Sequence, residues 1–211
     1  MITNMEKGLL IAFEGIDCTG KSTQCARIKY ILEDLGYSVI TTREPTDGEF
    51  GQLIRNKFFK ERPTPEDELD AFIKDRKEHI AKVIAPALSE KKIILVDRYY
   101  MSTAAYQGAQ GVAADWIIAL NECFAPKPDL WVIIDLDPEK AMKRIVANRG
   151  TANAFETLEH LQAVAAYYQK QRGVDVVHID GSLSVEYVTH EIAKAIYLGP
   201  LTPYIEKTKS S

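Results

Sequence analysis

The stretch Leu9-Leu10-Ile11-Ala12-Phe13-Glu14-Gly15-Ile16-Asp17-Cys18-Thr19-Gly20-Lys21-Ser22-Thr23 decides how this sequence folds. A short apolar run suited to a strand buried on both faces leads into a full match to G-x-x-x-x-G-K-[ST]. A helix-forming segment then runs from Lys21 to Leu35, with Gly36 as its stop. Strand, glycine loop and helix are the context the pattern requires. Gly15, Asp17, Cys18, Thr19, Gly20 and Thr23 form a loop whose backbone N–H groups curl around an anion at a helix N-terminus. Lys21 reaches the β- and γ-phosphates of a nucleoside triphosphate, and Ser22 offers a hydroxyl to magnesium. The pattern alone leaves GTPases, ATPases and kinases open.

Four further β-rich runs follow at Ser38–Thr42, Ile93–Val96, Leu130–Ile134 and Val174–Ile179, each separated from the next by segments with helical spacing. This alternation predicts an α/β fold, a doubly wound five-stranded parallel sheet with helices on both faces. The length of 211 residues predicts one domain over residues 1–200, with linkers at Glu61–Pro65 and Pro126–Pro128, a mobile segment at about 148–155 and a loosely held tail at 201–211.

Composition narrows the function. With 46% hydrophobic and 27% charged residues the chain is an ordinary globular one. The 26 basic against 30 acidic residues give a net charge of -4, which disfavours non-specific nucleic-acid binding and leaves anions to be held by local basic groups. The three cysteines, Cys18, Cys25 and Cys123, lack the spacing of a zinc site or a disulfide framework. The segment Met1–Gly8 is wrongly flanked for a signal peptide or membrane span, so the expectation is a cytoplasmic protein without a membrane partner.

Three more clusters lie where a doubly wound sheet binds ligands, or on a helix beside it. Asp97-Arg98-Tyr99-Tyr100-Met101-Ser102, with Ala105-Tyr106-Gln107 beyond, ends the third apolar run. An acid there is placed to link to magnesium, and Arg98 to hold phosphoryl oxygens. Thr42-Arg43-Glu44-Pro45 closes the second run. Arg43 holds a phosphate while Glu44 supports magnesium or orients Arg43, or the two form a solvated pair. Phe72 and Arg76 share a helix face, either stacking on a base and reading its edge, or serving as core residue and ion pair. Asp135 ends a strand too, but Asp137-Pro138-Glu139 after it has the form of a helix cap, and Asp135 is given no catalytic role.

Taken together and in order, these clusters resemble the thymidylate kinase family of P-loop nucleoside monophosphate kinases over roughly residues 8–198. The match is carried by D-R-Y-x-x-S-x-x-A-Y-Q at Asp97–Gln107, by T-R-E-P at Thr42–Pro45 and by F-x-x-D-R-x-x-H at Phe72–His79. The resemblance implies ATP as donor, dTMP as acceptor, Mg2+ as cofactor and a homodimer. It makes Lys21, Asp97 and Arg98 catalytic and Ser22, Asp97 and Glu44 the metal set. Asp17 would face the sugar hydroxyl of dTMP, and Arg43 and Arg98 its phosphate. Phe72 would stack on thymine, and Arg76 would bond the base edge. Ser102, Tyr106 and Gln107 would line the acceptor site, with Tyr106 crowding the 2′ position. Arg144 would lie against adenine and Gly181 at its edge.

The chain departs from the family pattern in its loop and lid. Cys18 stands where many members have glycine, and neither Cys18 nor Thr19 supplies the loop arginine of some relatives. The D-R pair of other relatives is absent before Phe155-Glu156, which leaves Arg149 as the nominated lid arginine. Thr46-Asp47-Gly48 replaces the usual Gly-Gly-Thr, and Lys74 an alanine. A kinase for another nucleotide or a deoxynucleoside is the close rival, and a P-loop GTPase switch or ATP-dependent binding module the rival of a different class, against which stand the lack of an N-K-x-D element for guanine and the arginines after the second and third strands.

Overall fold

A computed structural model describes residues 5–58, 63–149 and 157–209, with side chains for residues 5–56, 63–147 and 157–205. Strands β1 (Leu9–Glu14), β2 (Val39–Arg43), β3 (Ile93–Asp97), β4 (Leu130–Asp135) and β5 (Val176–Asp180) form one sheet in the order β2-β3-β1-β4-β5, and every pairing is parallel. Each run read as a strand is one.

The helices are α1 (Lys21–Asp34), α2 (Glu49–Leu53), α3 (Pro65–His79), α4 (Ala85–Ser89), α5 (Tyr100–Gly108), α6 (Ala114–Glu122), α7 (Pro138–Arg149), α8 (Leu158–Tyr168), α9 (Val185–Leu198) and α10 (Thr202–Lys209). A widened π turn at Ile80–Ile84 joins α3 to α4. Alternate strand residues feed two cores, as expected of strands covered on both sides. Leu10, Ala12, Ile94, Val96 and Ile133 pack under one layer with Tyr99, Tyr100 and Tyr168. Leu9, Ile11, Phe13, Ile93, Leu95 and Ile134 pack under the other with Ile28 and Ile192.

Local chemistry sets the helix ends. Gly36 at φ 88 closes α1, with Tyr37 N–H bonded to the Leu32 carbonyl at 3.1 Å. Thr64 caps α3 by accepting from Asp67 N–H at 3.1 Å, with Pro65 at the first helical position. Asp137 Oδ1 accepts from Glu139 N–H at 2.8 Å and caps α7, as its sequence context predicts.

The tail differs from expectation. Leu201 is 1% exposed within the second core, and Tyr204 and Ile205 pack on the same core from α10. The apolar side of Leu201, Tyr204 and Ile205 binds a segment that composition alone reads as loose. The segment expected as a lid lies largely outside the described residues: Asn148 and Arg149 end α7 in backbone only, and 150–155 are not described.

Candidate active site

Register places the site. Phe13 and Arg43 both pair with Asp97, so the start of the glycine loop, the end of β2 and the end of β3 meet at one carboxyl edge. The sheet's order reverses about β1 there, the crevice where open α/β sheets bind ligands.

The loop Gly15–Gly20 turns through backbone angles that suit glycine, with Gly15 at φ 133 and Gly20 at φ 98. A Cβ on Gly15 would lie 2.5 Å from the Ile134 carbonyl oxygen, so the loop also passes too close to β4 for any side chain. Gly20 precedes α1 without a side-chain cap, leaving the first N–H groups of that helix to an anion. Lys21 is buried and donates to the carbonyls of Gly15 at 3.1 Å and Ile16 at 2.7 Å. Burial, helped by the Arg98 charge, pushes the Lys21 ammonium down to about 8.

Ser22 Oγ on α1 donates to Asp97 Oδ2 at the end of β3. The expected magnesium pair is therefore in direct contact, and two oxygen ligands beside a phosphate loop fit a hard cation. Arg98, at φ 68, turns its guanidinium back over the loop. Its Nη1 donates to the Gly15 carbonyl and to Ser102 Oγ, both at 3.2 Å, and its Nη2 to Asp17 Oδ1 at 2.8 Å and to Tyr106 Oη at 3.3 Å. The ring of Tyr106 lies 5.0 Å from the guanidinium carbon. Desolvation opposes the charge on Arg98, but the Tyr106 and Asp17 oxygens outweigh it and hold the group well above its ordinary value. Arg43 is 61% exposed and paired with Asp47 at 2.9 Å. Both Arg43 and the Ser22–Asp97 pair border a cavity of about 510 Å3 that Thr42 and His79 also line.

Glu44, Arg76 and Ser102 are buried and turn to partners inside the protein. Glu44 does not face the metal pair: its buried carboxylate accepts from Arg76 Nε at 2.9 Å and Nη2 at 2.5 Å through Oε2, and lies 3.0 Å from His79 Nδ1 through Oε1. A buried carboxylate turns to the guanidinium that neutralises it, and both oxygens are used. Arg76, 1% exposed, is an ion-pair residue before it is a reader of bases: its Nη1 also donates to Asn121 Oδ1 at 2.6 Å and its Nη2 to Thr103 Oγ1 at 2.9 Å. One of its five N–H groups remains uncommitted among the described residues. Ser102 is buried and faces inward, donating to Glu14 Oε2 and standing 3.0 Å from Tyr168 Oη. Phe72 is half-buried beside Ile54 and Ala71, and Gln107 is buried with its Oε1 unpartnered among the described residues.

The sequence profile of the thymidylate kinase family matches residues 13–192. The chain belongs to the thymidylate kinase family. It is 41% identical over 194 residues to the thymidylate kinase of Akkermansia muciniphila, covering 92% of this chain and 94% of that protein. It is likewise 41% identical over 188 residues to a probable thymidylate kinase of Archaeoglobus fulgidus, covering 89% and 94%. The probable thymidylate kinase of Pyrococcus horikoshii is 43% identical over 162 residues, 74% of this chain and 78% of that protein.

In this thymidylate kinase family member Arg144 of α7 bridges the loop and the far strand. It donates to the carbonyls of Cys18 and Gly181, both at 3.2 Å. Asp135 Oδ2 lies 2.7 Å from His178 Nδ1 of the neighbouring strand β5. The nominated Arg149 has no described side chain. Sequence reasoning missed Glu14, which is fully buried at the end of β1 and accepts from the N–H groups of Tyr99 at 2.9 Å and Ser102 at 3.3 Å and from Tyr168 Oη at 2.9 Å. Burial pushes its carboxyl above the usual range against those donors. Its signal was a lone acid closing an apolar run. Thr103 and Asn121 carry no local signal.

Proposed function

We propose that this member of the thymidylate kinase family transfers the γ-phosphoryl group of ATP to dTMP, giving ADP and dTDP, with magnesium as cofactor. The observation that carries the reading is the joint placement of the Lys21 loop, the Ser22–Asp97 pair and the Asp17–Arg98–Tyr106 cluster at one sheet edge. A phosphate loop needs only the first of these. The third supplies what a second, sugar-bearing anionic substrate needs.

A phosphate oxygen of dTMP forms a bond to the γ-phosphorus while the bond to the bridging oxygen of the β-phosphate breaks, and ADP leaves. The loop N–H groups and Lys21 hold the β- and γ-phosphates, and Arg98 and Arg43 hold the acceptor phosphate. Asp17 takes the sugar hydroxyl, with Tyr106 beside it at the 2′ position. Phe72 lies against the thymine ring, and the uncommitted N–H of Arg76 and the unpartnered Oε1 of Gln107 face its polar edge. Arg144 and Gly181 border adenine. Ser22 and Asp97 would hold magnesium, which, when bound, neutralises charge on the phosphate oxygens. Glu44 takes no part in that set. Arg149 is the nominated source of further positive charge at the transferring phosphate.

The protein acts as a cytoplasmic homodimer in this reading, as the family resemblance implies for the dimer. Among the described residues no helix is long and apolar enough to cross a membrane. The deciding experiment is ADP release with ATP and each nucleoside monophosphate in turn. Release with dTMP well above every other acceptor is expected, and equal release without any acceptor would refute the transfer.

A further inference from the structure

Arg76 can present an N–H to a base only if its guanidinium plane is held, and the groups that hold it are buried. Glu44 Oε2 grips Nε and Nη2, Thr103 and Asn121 take one N–H each, and the Tyr99 ring lies 5.4 Å from the guanidinium carbon. Asn121 is itself pinned, its Nδ2 donating to the Ile117 carbonyl at 2.8 Å. Glu44 is different. Its backbone is fixed where its N–H donates to the Asp97 carbonyl at 3.0 Å, and its carboxylate is held by Arg76 itself at Oε2 and by one further contact at Oε1.

That contact is His79. Its Nδ1 lies 3.0 Å from Glu44 Oε1, and its Nε2 lies 2.7 Å from Thr42 Oγ1 at the end of β2. With the ring proton on Nδ1, His79 donates to Glu44 and accepts a hydrogen bond from the Thr42 hydroxyl, so both ring nitrogens are partnered. The His79 side chain is 1% exposed, and Glu44 and Arg76 are as deeply buried. Loss of the Nδ1 contact leaves one oxygen of a buried carboxylate without its partner and removes one of the two groups that orient it. The helix widens into a π turn at Ile80, immediately after His79.

We propose that His79 is a positioning residue for acceptor recognition: acting through Glu44, it sets the plane of Arg76 and so the affinity for the base of dTMP, without touching substrate. The inference rests on the proposed dTMP reading, and deepens it by naming a determinant two residues removed from the ligand. The side chains involved face the acceptor groups, and Glu44 meets Asp97 through its backbone N–H alone among the described contacts. The donor groups Lys21, Ser22 and Arg144 make no hydrogen bond to Thr42, His79, Glu44 or Arg76 among the described contacts.

Two amides separate the two ends of the imidazole. Asn places a donor nitrogen at the δ position, facing Glu44, and gives up Thr42. Gln places its amide at the ε position, facing Thr42, and gives up Glu44. Full steady-state kinetics on the intact protein with Mg2+, ATP and dTMP, alongside melting curves, compare wild type, His79→Asn, His79→Gln and Thr42→Val. Loss of a hydrogen bond to a charged group is expected to raise the KM for dTMP about tenfold in His79→Gln, with kcat and the KM for ATP within about twofold. His79→Asn should stay within about threefold of wild type, and Thr42→Val, which loosens only the outer end, should fall between them. A dTMP KM unchanged in His79→Gln while wild type phosphorylates dTMP overturns the inference and leaves the proposed function standing. Parallel losses in kcat, both KM values and Tm in both amide variants also overturn it, because a merely structural residue behaves that way. A wild-type protein inactive on dTMP overturns both.

Discussion

Tyr106 Oη donates to Asp17 Oδ2 at 2.7 Å, so a residue of α5 and a residue of the phosphate loop are bound to each other directly across the site. Arg98 Nη2 reaches the other Asp17 oxygen at 2.8 Å, and burial keeps the Tyr106 phenol well above its ordinary value and therefore a donor. The loop proposed to hold the donor phosphates is thus bonded to residues proposed to hold the acceptor. Tyr106→Phe keeps the ring and removes the bond to a charged oxygen, so kcat/KM for dTMP should fall about tenfold while preference for deoxyribose over ribose survives. Tyr106→Ala should lose that preference as well. Comparison of dTMP with its ribo analogue as acceptors checks both.

Lys21 gives a pH dependence with a definite sign. Its value near 8 in the free protein means the ammonium is present below that pH and lost above it. Phosphate binding favours the ammonium, so ATP binding should take up a proton above about pH 8, and the KM for ATP should rise as pH passes through that value. Calorimetry in two buffers of different ionisation enthalpy measures the proton directly; heats that do not depend on the buffer would contradict it. Lys21→Ala should remain folded and lose most of kcat.

Gly181 tests the bridge between α7, the loop and β5. A Cβ there would lie 2.7 Å from Ile134 Cγ2, 3.0 Å from the Asp135 carbonyl oxygen and 3.4 Å from that of Thr19. Gly181→Ala should cost about 1–3 kcal/mol of stability by overpacking and raise the KM for ATP more than that for dTMP, since the displaced carbonyl is one of the two that Arg144 holds. Melting and kinetics together decide it. Arg144→Ala should share the ATP effect with a smaller loss of Tm.

Arg149 is the proposed source of positive charge at the transferring phosphate, nominated by the absence of the family's D-R pair. Arg149→Ala should lower kcat by up to about 10³-fold, in the manner of an arginine finger, with dTMP affinity little changed. Arg149→Lys should recover part, having the charge without the planar fork. A kcat within about threefold of wild type in Arg149→Ala would transfer the search to Lys143 or Arg144.

The parallel sheet, its five strands and the phosphate loop were legible in the sequence because each rests on contiguous residues: an apolar run long enough for a strand, a glycine pair at fixed spacing, a helix start beside it. The Asp97-Arg98 and Tyr106 positions were legible through short-range spacing on one strand end and one helix. Where the polar side chains turn was not. Arg76 meets Asn121 45 residues away and Thr103 27 away, and Tyr168 reaches Glu14 across 154 residues, so no local period records these partners. Glu44 illustrates the reason. Beside Arg43 at the end of β2 it reads equally well as a metal ligand or as a surface partner, and a string of residues does not say which charges will share its desolvated volume. Once the fold buries it with Arg76 and His79, an unpaired carboxylate is too costly there, and the pairing follows from burial. The same logic ordered the C-terminal helix: Leu201 looks dispensable in sequence, and the second face of the sheet, open beside α9, decides that it is core.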